Sequence, residues 1–184
     1  MVEISLHILD IARNSIKAKA TVVEIEVTED IAANLLTVII KDNGCGMDKD
    51  FLNDVTNPFR TSRTTRKVGL GLSLFKSAAE LTGGSFSIDS ELGVGTVVKA
   101  VFVYDSIDRQ PLGDMASTIS AIVGGAPDIE YIYKHNYCGA EFEFDTMSIR
   151  QVLGEEVPLS EPDVLNWIED SIRSEIENIY GGAV

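Results

Sequence analysis

Cysteine is nearly absent. Cys45 and Cys138 are the only two in 184 residues, and they lack the spacing of a metal site. A disulfide scaffold is excluded, and both are expected as thiols in a reducing cytoplasm. Long apolar runs are missing too. None approaches the roughly 20 residues of a membrane helix, and no signal peptide is read at the start. Basic residues are scarce, with 15 Lys+Arg against 29 Asp+Glu and a net charge of −14. The deficit is uneven. Residues 1–104 hold 11 basic and 13 acidic side chains, a net of −2, whereas residues 105–184 hold 4 and 16, a net of −12. The second stretch repels nucleic acid and acidic membranes, so neither is an expected partner. Its acidity suits a solubilising surface or a docking face for a basic partner. Disorder is not expected, because 45% of the residues are hydrophobic and the length suffices for a domain with an appendage.

What the chain does have is organised around Asp42-Asn43-Gly44-Cys45-Gly46-Met47. The run before it, residues 35–41, alternates as a largely buried strand does. Two glycines two apart let the backbone turn sharply and lie close to a flat ligand. Asp42 then stands at the strand mouth, where a carboxylate can accept from an amino group. Taken alone, the hexapeptide is equally a strand followed by a turn.

Upstream, residues 2–20 read as a helix with an apolar stripe through Ile4, Ile8, Ala12 and Ile16. His7, Asp10, Asn14 and Lys17 share another stripe, which on an ordinary amphipathic helix only faces water. Residues 21–28 read as a strand that returns as residues 35–41, giving an antiparallel hairpin. Downstream, residues 49–56 suggest a short helix broken by Asn57-Pro58-Phe59. Four of the next eight residues, 60–67, are cationic and four carry hydroxyls, Ser62, Arg63 and Thr64 among them. Such a lid offers donors and charge to polyphosphate and is expected to be mobile when empty. It runs into Gly69-Leu70-Gly71-Leu72, which opens a helix and exposes its N-terminal donors to an anion. Strands over 85–90 and 96–104 follow, around a Glu91–Gly95 turn.

In this order, an Asn in the first helix, DNGCGM, NPF, a basic lid, GLGL and GVGT resemble the GHKL ATPase superfamily of gyrase, heat-shock ninety-type chaperones, histidine kinases and MutL. The resemblance covers residues 3–104, over half the chain. It implies a two-layer α/β (α+β) sandwich, a mixed and mostly antiparallel sheet with helices on one face. It implies ATP and Mg²⁺ as ligands. Asn14 matches the metal-binding asparagine, Asp10 the position of the catalytic acid, and Lys17 a phosphate-facing position. Asp42 matches the adenine-reading aspartate, with Gly44 and Gly46 admitting the base and Met47 and Phe59 packing near it. Ser62, Arg63 and Thr64 fall in the lid. Gly69, Leu70, Gly71 and Leu72 would frame the phosphates, and Thr96 would support Asp42. Asp10 is a methylene shorter than the usual Glu. His7 and Cys45 are expected as packed residues. The implied function is a regulatory kinase-like module that transfers phosphate to a partner protein. A hydrolytic switch and a nucleotide sensor without turnover are the rivals.

Residues 105–184 read as an acidic α/β appendage to the ATP-binding domain of residues 1–104, available for partner docking or homodimerisation. A helix is expected over 111–123, a hairpin over 128–136 and 140–146, a short helix over 148–153, and a last helix capped by Ser160. His135 and Cys138 are too isolated for a metal site.

Overall fold

The computed structural model describes residues 3–48, 52, 70–154 and 157–181. Helix α1 (Ile4–Lys17) is followed by β1 (Val22–Asp30) and β2 (Leu35–Asp42), then α2 (Leu70–Leu81), β3 (Ser85–Glu91) and β4 (Gly95–Val103). Then come α3 (Met115–Gly125), β5 (Glu130–Tyr137), β6 (Ala140–Asp145), α4 (Thr146–Leu153) and α5 (Pro162–Gly181). The six strands form one sheet in the order β3-β4-β2-β1-β5-β6. Every neighbouring pair is antiparallel except β1 with β5. The expected class, a mixed and mostly antiparallel sheet with helices, is the fold. Its hairpin from the acidic segment continues the sheet of residues 1–104 through the β1–β5 pairing.

Alternation decides which face is covered. Val23, Ile25 and Val27 of β1, Leu36, Val38 and Ile40 of β2, and Tyr131 and Tyr133 of β5 are buried. Helix α1 packs on β2, α2 on β3 and β4, and α5 on β5 and β6, while α3 joins α1 to α5. The other face carries charge. Lys134 Nζ lies 2.6 Å from Glu24 Oε1 and 3.7 Å from Glu143 Oε2. The Lys134 hydrogen bond holds the Glu24 carboxyl below its usual range. Such cross-strand pairs suit a sheet face that meets water.

The apolar stripe of α1 is rotated from the one read in the sequence. Ile4, Ile8, Ile11, Ala12 and Ser15 are buried, and Ile16 is only half-buried. His7 is also buried, stacked on Phe75 at 5.4 Å and bonded through Nε2 to Gln110 Oε1 at 3.0 Å. It has left the water-facing stripe for the seam between α1 and α2. Burial lowers its pKa against the Gln110 bond. The first donors of α1 have no side-chain cap; Ile4 N–H and Ser5 N–H bond to the carbonyls of Pro111 and Leu112. Residues 111 and 112 are thus a strap along α1. Helix α3 begins only at Met115, because Asp114 accepts from Ser117 N–H as its cap. Helix α5 likewise starts at Pro162 and not at a Ser160 cap. The β5–β6 turn needs positive φ at Cys138 (52°) and Gly139 (91°), the signature of a two-residue hairpin loop.

A buried polar network joins the two halves of the sheet. Glu29 continues the inward parity of β1 and is 4% exposed; His135, paired with Val27 and so diagonal to Glu29 on β5, is fully buried. Glu29 Oε1 accepts from His135 Nε2 at 2.9 Å and from Tyr180 Oη of α5 at 2.5 Å. Its Oε2 accepts from Tyr104 Oη at 3.1 Å, and Tyr133 Oη meets His135 Nδ1 at 2.7 Å. Among the described residues no helix is long and apolar enough to cross a membrane.

Candidate functional site

The site grows from the end of the sheet. Asp42 closes β2 with its carboxylate turned towards α1. Its Oδ2 accepts from Ser15 Oγ at 2.6 Å, and its Oδ1 accepts from Gly44 N–H at 2.9 Å. Each oxygen keeps a lone pair for a further donor. Asn43 is the anchor of the turn: its Oδ1 accepts from the Thr21 and Val22 amides at 2.9 Å each, and its Nδ2 donates to Thr21 Oγ1 at 2.8 Å.

The two glycines of the hexapeptide are required by close approach. A Cβ on Gly44 would come within 2.9 Å of Ala18 at the end of α1. Gly46 has φ 65°, and a Cβ there would fall 2.0 Å from the Glu91 carbonyl. The hexapeptide is therefore clasped between α1 and the β3–β4 turn. Cys45 N–H bonds to Ala18 O at 2.9 Å, Gly93 N–H to Cys45 O at 2.8 Å, and Met47 N–H to Ser90 Oγ at 2.9 Å. Met47 is half-buried against the core. Cys45, expected as a packed residue, is exposed instead, because the backbone clasp turns its side chain outward.

Along α1, Asp10 and Lys17 are exposed and Asn14 is half-buried beside them. Among the described residues, the Asn14 carboxamide and the Lys17 ammonium have no hydrogen-bonding partner. Asp10 lies 4.0 Å from Arg13, an exposed pair that contributes little. A Cβ on Gly71 would lie 3.5 Å from that of Asp10, so α2 begins against the acid. Leu72 is buried under α2 and Leu70 is exposed. Thr96 faces Asp42 across the ladder, but its hydroxyl meets Ser90 Oγ at 2.9 Å and not the Asp42 carboxylate.

The structure thus brings Asp10, Asn14, Asp42, Gly44, Gly46, Met47, Gly71 and Thr96 around the seam of α1, α2 and the sheet end. Lys17 stands in the last turn of α1. Phe59, Ser62, Arg63, Thr64 and Gly69, with the short helix read over 49–56, lie outside the described residues, save that Leu52 is helical. A cavity of about 480 Å³ opens at the sheet end, lined by Val22, Lys41, Asp89 and Val97 and also by Asp42, Ser90 and Thr96. No residue of α1 or α2 lines it, so it is not the seam in which Asn14 and Gly71 lie.

Sequence reading missed Ser15 and Ser90. Ser15 was detectable as one of two hydroxyls, with Ser5, on the buried side of α1. Ser90 had no such mark, since its partners come from the hexapeptide and from the start of β4.

The mixed six-stranded sheet with its packed helices, and a carboxylate anchored at the sheet end beside α1, place the chain among the α/β sandwiches. Residues 3–105 match the family model described as histidine kinase-, DNA gyrase B-, and HSP90-like ATPase, and the chain belongs to that family. It is 36% identical over 97 residues to a protein of Shewanella frigidimarina described as a sensor protein, covering 52% of this chain and 15% of that one. It is 30% identical over 93 residues to the sensor histidine kinase YvrG of Bacillus subtilis, covering 48% and 16%. The match spans about a sixth of the length of these relatives. The N-terminal domain of a DNA repair protein shares the fold alone, at 16% identity and a TM-score of 0.58, over 84% of this chain and 58% of that one.

Proposed function

We propose that this chain binds ATP with Mg²⁺ and transfers the γ-phosphate to a partner protein. The observation that carries this reading is the Asp42 carboxylate, pinned by Ser15 and Gly44 with lone pairs to spare. An acceptor-only group there suits the exocyclic amine of adenine and repels the O6 of guanine. The unpaired Asn14 carboxamide fits Mg²⁺, which takes few protein ligands and fills its octahedron with phosphate oxygens and water. Bound Mg²⁺ would neutralise charge developing on the phosphates. Lys17 and the lid residues Ser62, Arg63 and Thr64 would add donors, with Phe59 beside the base and Gly69, Leu70, Gly71 and Leu72 framing the phosphates.

In the transfer, the bond between the γ-phosphorus and its bridging oxygen breaks and a bond to the acceptor atom forms. The chain supplies position and charge; Asp10, held against the start of α2, would orient the acceptor and take its proton. Residues 105–184 are our candidate docking segment, with homodimerisation as its other use. The setting is the cytoplasm, where ATP is supplied.

Both histidines of the chain are buried, His7 at 5% exposure and His135 at 0%. Neither can meet a γ-phosphate in line. Incubation of the chain alone with γ-labelled ATP is therefore expected to leave it unlabelled, with label passing only to an added protein. Steady release of inorganic phosphate without an acceptor would favour a hydrolytic switch instead, and nucleotide binding without either product would favour a sensor.

The metal role has its own test. Asn14→Ala should remove the Mg²⁺-dependent tightening of ATP binding and leave metal-free binding largely intact. The helix tolerates alanine, its best former. Calorimetry giving equal magnesium dependence in both proteins would contradict the assignment.

A further inference from the structure

Ser90, Thr96 and Asp42 form a row across three neighbouring strands, each directly opposite the next. Side chains in such a row share one face of the sheet and lie within reach of one another. Ser90 Oγ has three polar atoms at 2.9 Å: the Gly95 carbonyl oxygen, the Met47 amide and Thr96 Oγ1. A serine has one proton and two lone pairs. The Gly95 carbonyl can only accept and the Met47 N–H can only donate. The Ser90 proton therefore goes to Gly95, and the Met47 amide takes one lone pair. Thr96 must then donate its own proton to the other. That leaves Thr96 no proton to offer its second neighbour, and both its lone pairs open beside Asp42.

We propose that Ser90 is a positioning residue for base selection, making Thr96 an acceptor beside the acceptor Asp42. The proposal rests on the reading of this site as a nucleotide site and names what that site rejects. Two adjoining acceptors welcome a base edge that donates, directly or through a water, as the 6-amino group of adenine does. They repel a 6-keto oxygen, as in inosine and guanine. The same serine holds the Met47 backbone, so the base-facing turn and the acceptor pair are set by one hydroxyl. Without it, the Thr96 hydroxyl is free to rotate and donate to a keto oxygen.

The test is the ratio of ATP to ITP affinity, measured by calorimetry on the full chain. Ser90→Ala should lower that ratio about tenfold, the effect of one ordinary hydrogen bond. Ser90→Thr should restore it. In a Thr96→Val background, where no hydroxyl remains to be oriented, Ser90→Ala should leave the ratio unchanged. Ser90→Cys, similar in volume but a weak hydrogen-bonding group, should also lower the ratio and serves if the alanine variant does not fold. A folded Ser90→Ala or Ser90→Cys protein with the wild-type ratio would overturn the proposal and leave the nucleotide site standing. So would effects of Ser90→Ala and Thr96→Val that simply multiply. A wild-type chain that binds neither nucleotide would overturn both readings together.

Discussion

Replacing Glu29 by alanine is expected to destabilise the fold by about 3–5 kcal/mol, a large fraction of the stability of an ordinary domain. The carboxylate is the common acceptor for His135, Tyr180 and Tyr104, which come from β5, α5 and the end of β4. Its removal leaves the buried His135 and the hydroxyls of the half-buried Tyr104 and the more exposed Tyr180 without their common acceptor, and opens a cavity at the meeting point of those elements. The network also has a pH signature. Burial by itself would push the Glu29 carboxyl up, but hydrogen bonds from His135, Tyr180 and Tyr104 hold it below its usual value. A carboxyl with a depressed folded pKa stabilises fully above its unfolded value and loses that contribution as pH falls through the folded one. His7 acts in the same direction, since burial lowers its pKa and makes its protonation in the fold costly below the usual histidine value. Burial and the Glu29 charge push Tyr180 far up and Tyr104 to about 12, so both remain donors throughout that range. Denaturant melts from pH 7 to pH 3 should show stability falling with acid in the wild type, with a shallower fall in Glu29→Gln. Parallel curves for the two proteins, or an alanine variant as stable as the parent, would show that the network is not what ties α5 to the sheet.

The second large effect is expected at Asp42. Asp42→Asn exchanges a charged acceptor for a side chain with one acceptor and one donor end. The Gly44 amide can keep its bond to the remaining oxygen, and the new amide can donate to Ser15 Oγ, so the fold should survive. The loss falls on the ligand. A buried hydrogen bond to a charged group contributes about 1.5–3 kcal/mol, which is roughly ten- to hundredfold in ATP affinity. Binding of 6-keto nucleotides should weaken less, because the carboxylate that repelled them is gone. Calorimetry showing unchanged ATP affinity in a folded Asp42→Asn protein would remove the base-reading role.

Local pattern announced much of the architecture. The β1–β2 hairpin and the β5–β6 hairpin follow from period-2 alternation with turns that need positive φ, and such signals act over a few residues. The glycines of the hexapeptide were legible for the same reason, although what they approach was not. Gly46 lies against the Glu91 carbonyl, a neighbour 45 positions on that only the folded sheet supplies.

Composition and motif order determined, without coordinates, the fold class and the family, and they named the residues of the candidate site. Those depend on periodicity, on backbone freedom and on the chemistry each side chain carries. Which hydroxyls serve Asp42 and Thr96 was decided by tertiary structure alone. A serine on α1 and another on β3 become partners of the site only when helix and strands are stacked. The same holds for the acidic hairpin, whose alternation specifies a hairpin but not its neighbour. Its parallel pairing with β1, and the Glu29–His135 bond beneath that pairing, join positions more than a hundred residues apart. Strand alternation fixes which side chains share a face; only long-range packing fixes which strand lies next to which.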